Sequence, residues 1–195
     1  MTRSDSLPPS YFDGVYGARD DPWDFETSAY ERAKYETTLA ALPAPRFGRA
    51  FEVGCSIGVL TARLAARCDA LLAVDVSEKA LEQARERCAG LPQVRLERLS
   101  FPVERPDGDF DLVVLSEVAY YWSMDDLRLA LDWCREHLRP GGVLLLVHWT
   151  HPVHDYPQSG DAVHEEALVR TAPRLRRVHA ERHADYRLDV LVASG

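Results

Sequence analysis

An α/β fold, with one Rossmann-like, doubly wound sheet of about seven strands, is predicted by three observations. Short apolar runs alternate with stretches that carry apolar residues at helical spacing. The runs lack the apolar–polar alternation of a half-solvated strand, so burial on both faces and mainly parallel pairing are expected. The last two candidate strands follow each other with no helix between them, which predicts an antiparallel C-terminal hairpin.

The elements read in order as follows. Residues 1–10 are polar and carry two prolines, and are expected to be flexible. Ser28-Ala29-Tyr30-Glu31 is a capping box, predicting a helix that runs toward Pro43. Residues 50–53 predict a first strand, and residues 59–68 a helix with Leu60, Leu64 and Cys68 on one face. Residues 70–74 form a second buried strand, ending at Asp75. Ser77 is expected to cap a helix with Leu81, Ala84 and Cys88 on one side. Residues 94–96 predict a weaker strand and residues 111–115 a strongly apolar one. Ser123 starts a helix whose stripe is Leu127, Leu131, Cys134 and Leu138, stopped by Arg139-Pro140-Gly141-Gly142. A strand over 143–147, a short helix near 161–169 and strands over 175–181 and 186–192 complete the series. The expected organisation is one domain over 11–195: a lid region (11–48), a ligand-binding core (49–149), and a substrate loop with closing strands (150–195).

Charge and cysteine usage narrow the function. Lys and Arg total 23 against 31 Asp and Glu, a net charge of −8, which argues against nucleic acid or an anionic membrane as partner. No two of Cys55, Cys68, Cys88 and Cys134 form a C-x-x-C pair and each sits in an apolar pattern, so free buried thiols in a reducing compartment are expected. No apolar N-terminal core or membrane-length run is present, so the expected location is the cytoplasm.

The turn after the first strand, Glu52-Val53-Gly54-Cys55-Ser56-Ile57-Gly58, carries most of the chemical information. Ligands of parallel sheets bind beyond the carboxyl ends of the strands, where glycines let the backbone reverse and approach closely. Asp75, closing the next strand, is placed to accept hydrogen bonds from a ribose. Other readings of the turn are open: a G-x-S-x-G nucleophile elbow using Ser56, a dinucleotide loop lacking its last glycine, and a turn that binds nothing.

Glu52-x-Gly54-x-Ser56-x-Gly58 resembles the E/D-x-G-x-G-x-G motif of class I S-adenosylmethionine-dependent methyltransferases. Residues 110–117 resemble their fourth-strand motif, and residues 138–145 the segment leading into their fifth strand. Asp21-Pro22-Trp23, residues 30–35 and residues 148–164 resemble, more narrowly, the nodulation protein S (NodS) type. That family N-methylates the deacetylated glucosamine end of a chitooligosaccharide. The resemblance implies S-adenosylmethionine as cofactor, S-adenosylhomocysteine as product and a small-molecule acceptor. It places Glu52, Gly54, Cys55, Ser56, Gly58, Asp75, Val76, Ser100, Phe101, Ser116, Trp23 and Arg32 at the cofactor. Two departures stand out: Ser56 replaces the middle glycine, and Ser100 stands where an Asp often lies beside the adenine.

On the acceptor side, expected over the fourth and fifth strand ends, Glu117 follows an apolar strand and is a candidate base, ammonium-orienting group or loop cap. Tyr120, Tyr121, Trp122 and Tyr30 are candidate substrate walls. His148 and His151 are candidate catalytic groups, with packing as the alternative; with His154 they recur every three residues, a spacing that does not converge on a metal, and none is expected. The expected function is transfer of a methyl group to an amine of an amino sugar or related metabolite. An O-methyltransferase of a small hydroxylated compound, a serine hydrolase using Ser56 and a non-catalytic S-adenosylmethionine-binding protein are the alternatives. The oligomeric state is left open.

Overall fold

A computed structural model describes residues 5–195. Seven strands form a mixed sheet, mostly parallel, with an antiparallel pair from the C-terminal end, which is the predicted fold class. The chain divides into two compact units, Pro8–Ser100 and Phe101–Gly195, the latter including the short segment before Pro8. Residues 150–195 share a unit with residues 101–149.

In the first unit, α1 (Pro9–Ala18) and α2 (Ala29–Ala40) precede β1 (Phe47–Val53), α3 (Val59–Leu64), β2 (Cys68–Asp75), α4 (Glu78–Cys88) and β3 (Val94–Arg98). β1 pairs with β2 and β2 with β3, both parallel. α2 starts as its capping box predicts, with the Glu31 amide donating to Ser28 Oγ at 3.3 Å. Phe51, Ile57, Leu64, Leu71 and Leu81 are fully buried, each stabilising the fold by about 1.5–3 kcal/mol relative to exposure.

Three expectations are corrected in this unit. α1 lies where no helix is read from the sequence; Pro9 at its first turn and aromatic residues at helical spacing are its signal. The helix over 59–68 stops at Leu64, passes through one 3-10 turn, and Cys68 opens β2. Ser77 does begin α4, but its hydroxyl makes no cap bond and is buried without a partner.

In the second unit, β4 (Phe110–Ser116), α5 (Met124–His137), β5 (Leu138–Trp149), α6 (Gly160–Thr171), β6 (Leu175–Arg182) and β7 (Tyr186–Ala193) follow in order. β5 pairs parallel with β4 and antiparallel with β7, and β6 pairs with β7. Leu138, read as the end of a helical stripe, instead pairs with Phe110, and the Arg139–Gly142 stretch is absorbed as a register shift beside Asp111. The solvent side of β6 is charged, as suits an edge strand. Residues 1–4 lie outside the described residues, but Ser6 accepts the Ser123 amide at 2.7 Å and Leu7 is buried, its amide bonded to the Tyr121 carbonyl. All four cysteines are free and buried. Among the described residues no helix is long and apolar enough to cross a membrane.

Candidate functional site

The first unit builds the turn at the end of β1. The Gly54 and Cys55 amides both donate to the Val74 carbonyl, at 2.8 and 2.9 Å, which folds the chain back across the end of β2. Gly54, Ser56 and Gly58 all have φ between 53° and 79°, in the left-handed region. Only glycine enters that region without strain, so Ser56 is held there by its surroundings. Its amide donates to Asp75 Oδ2 at 2.9 Å and its Oγ accepts from the Tyr16 hydroxyl at 2.6 Å. At Gly58 a Cβ would lie 3.0 Å from the Ala84 Cα and Cβ, so the glycine also lets α4 pack close.

Asp75 is 7% exposed. Its second oxygen accepts the Ser77 amide at 2.9 Å. Burial pushes its carboxyl up, and the Ser77, Ser56 and Val76 amides oppose that shift. Burial likewise pushes Glu52 up to about 8, with the Thr61 hydroxyl pulling the other way and the Asp75 charge adding to the rise. Glu52 Oε2 is buried without a hydrogen-bond partner. Cys55 is buried, and burial raises its thiol well above the ordinary range.

Tyr16 was not anticipated. It packs with Ile57 and Ala80, and its ring meets Trp23 edge-on at 5.7 Å; Trp23 in turn stacks on Phe25 at 5.5 Å. α1 and the Trp23 segment thus cover the turn. The rest of the expected lid is mixed in character. Arg32 is exposed, Tyr30 is 36% exposed with Lys34 Nζ 5.2 Å from its ring, and Lys34 is buried in a 2.9 Å pair with Glu31. Ser100 is half-buried at the end of this unit.

A nucleophile elbow is disfavoured here. Ser56 Oγ accepts a hydrogen bond from the Tyr16 hydroxyl, and the unit Pro8–Ser100 holds no histidine to act as its base. A serine nucleophile needs such a base to activate it.

The second unit builds a carboxylate and tyrosine cluster after β4. Glu117 has φ 54°, a strained value for a side-chain-bearing residue, and three bonds hold it. Its amide donates to the Val147 carbonyl at 2.8 Å, and its Oε2 accepts from the Tyr120 hydroxyl at 2.7 Å and the Trp149 amide at 2.9 Å. Tyr120 stacks on Tyr156 at 4.9 Å, Tyr121 meets both rings edge-on at 4.7 Å, and the Tyr121 and Tyr156 hydroxyls are 3.3 Å apart. Tyr156, on the loop after β5, was missed: its place beside Tyr120 depends on that loop's return.

Other candidates fall elsewhere. Trp122 packs on Phe101, which also meets Trp133. Ser116 ends β4, half-buried, one residue before Glu117. His151 is at the surface, its Nε2 2.9 Å from Asp185 Oδ1, and His154 pairs with Asp155. His148 is fully buried, with Nε2 on the Ala119 amide and Nδ1 on His164.

Comparison with known proteins finds a matching family and related structures. The family model of nodulation protein S (NodS) matches residues 17–184. Nodulation protein S of Rhizobium tropici is 33% identical over 133 residues, 66% of this chain and 55% of that protein. This chain therefore spans about half the length of the curated nodulation proteins it matches. A candidate methyltransferase of known structure from Pseudomonas syringae is 38% identical, with TM-score 0.73 over 85% of this chain and 99% of that one. The N-methyltransferase NodS of Bradyrhizobium japonicum, solved in complex with S-adenosyl-L-homocysteine, shares the fold at TM-score 0.80 and 23% identity, over 96% of this chain and 99% of that one.

Proposed function

We infer that this chain, which belongs to the nodulation protein S (NodS) family, transfers a methyl group from S-adenosylmethionine to an amine of an amino sugar or related small metabolite. The observation that carries the reading is the Gly54–Gly58 turn braced on Asp75. The residues there fit the cofactor. Gly54 and Gly58 present bare backbone, and Glu52 Oε2 is a buried acceptor without a partner. Asp75 is the ribose ligand: its two oxygens are fixed by backbone amides, and each retains a lone pair for a hydroxyl. Trp23 and Tyr16 close the same turn against water.

S-adenosylmethionine supplies an electrophilic methyl group on its sulfonium. The chain's task is then orientation, worth about 7–11 kcal/mol in well-aligned reactions. Glu117 is the group that orients the acceptor amine and takes up its proton, a contribution of about 10²–10⁴-fold. Its fixed carboxylate, with Tyr120 and Tyr156 beside it, favours a cationic or amine-bearing acceptor over a neutral alcohol.

Calorimetry with S-adenosylhomocysteine and with NAD tests the cofactor. Turnover of a chitooligosaccharide with a free terminal glucosamine amine, against its fully N-acetylated counterpart, tests the acceptor. Binding of S-adenosylhomocysteine and methylation of only the free amine are expected. NAD binding with no response to S-adenosylhomocysteine would overturn the reading.

A further inference from the structure

Behind the Glu117 loop, four polar groups are joined end to end. The Ala119 amide donates to His148 Nε2 at 3.2 Å, His148 Nδ1 lies 3.1 Å from His164 Nε2, and His164 Nδ1 lies 2.7 Å from Asp189 Oδ2. His148, His164 and Asp189 have no exposed surface. The protons of this series follow from one end. An amide only donates, so His148 Nε2 is bare and the ring proton sits on Nδ1. That proton goes to His164 Nε2, which leaves the His164 proton on Nδ1, facing the carboxylate. Both rings are neutral, because a second proton on either would set two donors face to face.

The fold brings these groups together from three elements. His148 on β5 stands opposite Arg187 on β7, and Leu146 opposite Asp189, so His148 and Asp189 share one face. α6 packs on β5 and β7, and Gly160 permits its approach: a Cβ there would fall 2.2 Å from the Trp149 carbonyl oxygen and 3.0 Å from His148 Cβ. His164 stands one turn further along the same helix face. Asp189 is anchored by Arg187 Nε at 2.9 Å and Arg177 Nη1 at 3.4 Å, so its charge is paired.

Three consecutive residues of β5 thereby grip the loop after β4. Val147 takes the Glu117 amide, His148 takes the Ala119 amide, and Trp149 gives its amide to the Glu117 carboxylate. The first and third grips are ladder-like and independent of side-chain identity on β5. The middle grip depends on a tautomer, and a histidine's tautomer is set by the bond its other nitrogen makes.

We propose that His164 and Asp189 are positioning residues for methyl transfer: they hold His148 as the Nδ1-protonated tautomer and, through it, set the backbone of the Glu117–Tyr121 loop. The catalytic consequence rests on the reading of Glu117 given above; the relay and its effect on the loop do not.

NMR of the full chain labelled with ¹⁵N-histidine reads the tautomers directly. His148 and His164 are both expected to carry their proton on Nδ1, and a His148 protonated on Nε2 overturns the proposal. His164→Leu removes the acceptor for His148 Nδ1–H. Hydrogen exchange at the Ala119 amide is then expected to quicken about tenfold or more, while the Leu72 and Val74 amides of β2 keep their rates. An unchanged Ala119 rate overturns the proposal. If the leucine variant does not fold, the tautomers of the parent protein decide. In His164→Leu, kcat for methylation of the free glucosamine amine is expected to fall about tenfold or more, with KM for S-adenosylmethionine unchanged. A loss confined to melting temperature, with kcat retained, would mark the relay as structural only. A parent protein that methylates no amine sinks the reading of Glu117, while the tautomer and exchange results still decide the relay.

Discussion

The Tyr16 hydroxyl donates to Ser56 Oγ at 2.6 Å, joining α1 to the turn that opens after β1. This bond gives a physical reason for a serine at a position where the related motif has glycine. Burial is the first cause pushing the Tyr16 phenol far above its ordinary range, so it stays a donor. Tyr16→Phe removes one buried hydrogen bond and is expected to cost about 1 kcal/mol of stability. A double-mutant cycle with Ser56→Ala should return a coupling of about the same size; additive effects would show that the two hydroxyls do not cooperate.

Ser56→Ala also separates the chemistries of the turn. Methyl transfer and S-adenosylhomocysteine affinity are expected to stay within about threefold of the parent, since the Ser56 amide still reaches Asp75. Loss of a hydrolase activity with intact cofactor binding would instead point to Ser56 as a nucleophile.

Asp75→Ala takes away the acceptor for the Ser56 and Ser77 amides as well as the carboxylate proposed to bind the ribose. Affinity for S-adenosylhomocysteine, measured by calorimetry, is expected to fall about tenfold or more, equivalent to about 1.4 kcal/mol. Unchanged affinity would remove Asp75 from the ribose role.

Glycine substitutions should divide by what a methyl group meets. Gly160→Ala drives a Cβ to 2.2 Å from the Trp149 carbonyl and is expected to destabilise by about 2 kcal/mol or more. Gly14→Ala, in the middle of α1 with nothing within 4 Å of the new Cβ, should stabilise by about 0.5–1 kcal/mol. Denaturant titration of both variants checks the pair.

Glu52 makes stability fall as pH rises. Its folded value of about 8 lies above the ordinary 4.5, so between these the unfolded chain ionises while the folded chain keeps its proton. The parent protein is therefore expected to lose stability relative to Glu52→Gln from about pH 5 to pH 8 and to hold a constant gap above that. A gap that does not change over this window would show that Glu52 is ionised in the folded protein. His164 acts in the opposite sense. Burial lowers its pKa, so stability should also decline as pH falls below the ordinary histidine value of about 6.5, a decline absent in His164→Gln.

The sequence by itself determined the fold class, the order of the strands along the chain, and the glycine-bearing turn followed by an acid at the end of the next strand. These are local: burial on both faces appears as unbroken apolar runs, and the turn, its glycines and the closing acid lie within one strand–turn–helix–strand unit. Tertiary structure decided which polar side chains meet. Tyr16 reaches Ser56 across 40 residues, Tyr156 reaches Tyr121 across 35, and His164 reaches Asp189 across 25. It also set both His148 nitrogens against groups on other elements, the Ala119 amide and His164. A hydrogen bond needs its partners within about 3 Å and leaves no periodic trace along the chain, so such pairs become visible only when the helices and strands that carry them are packed.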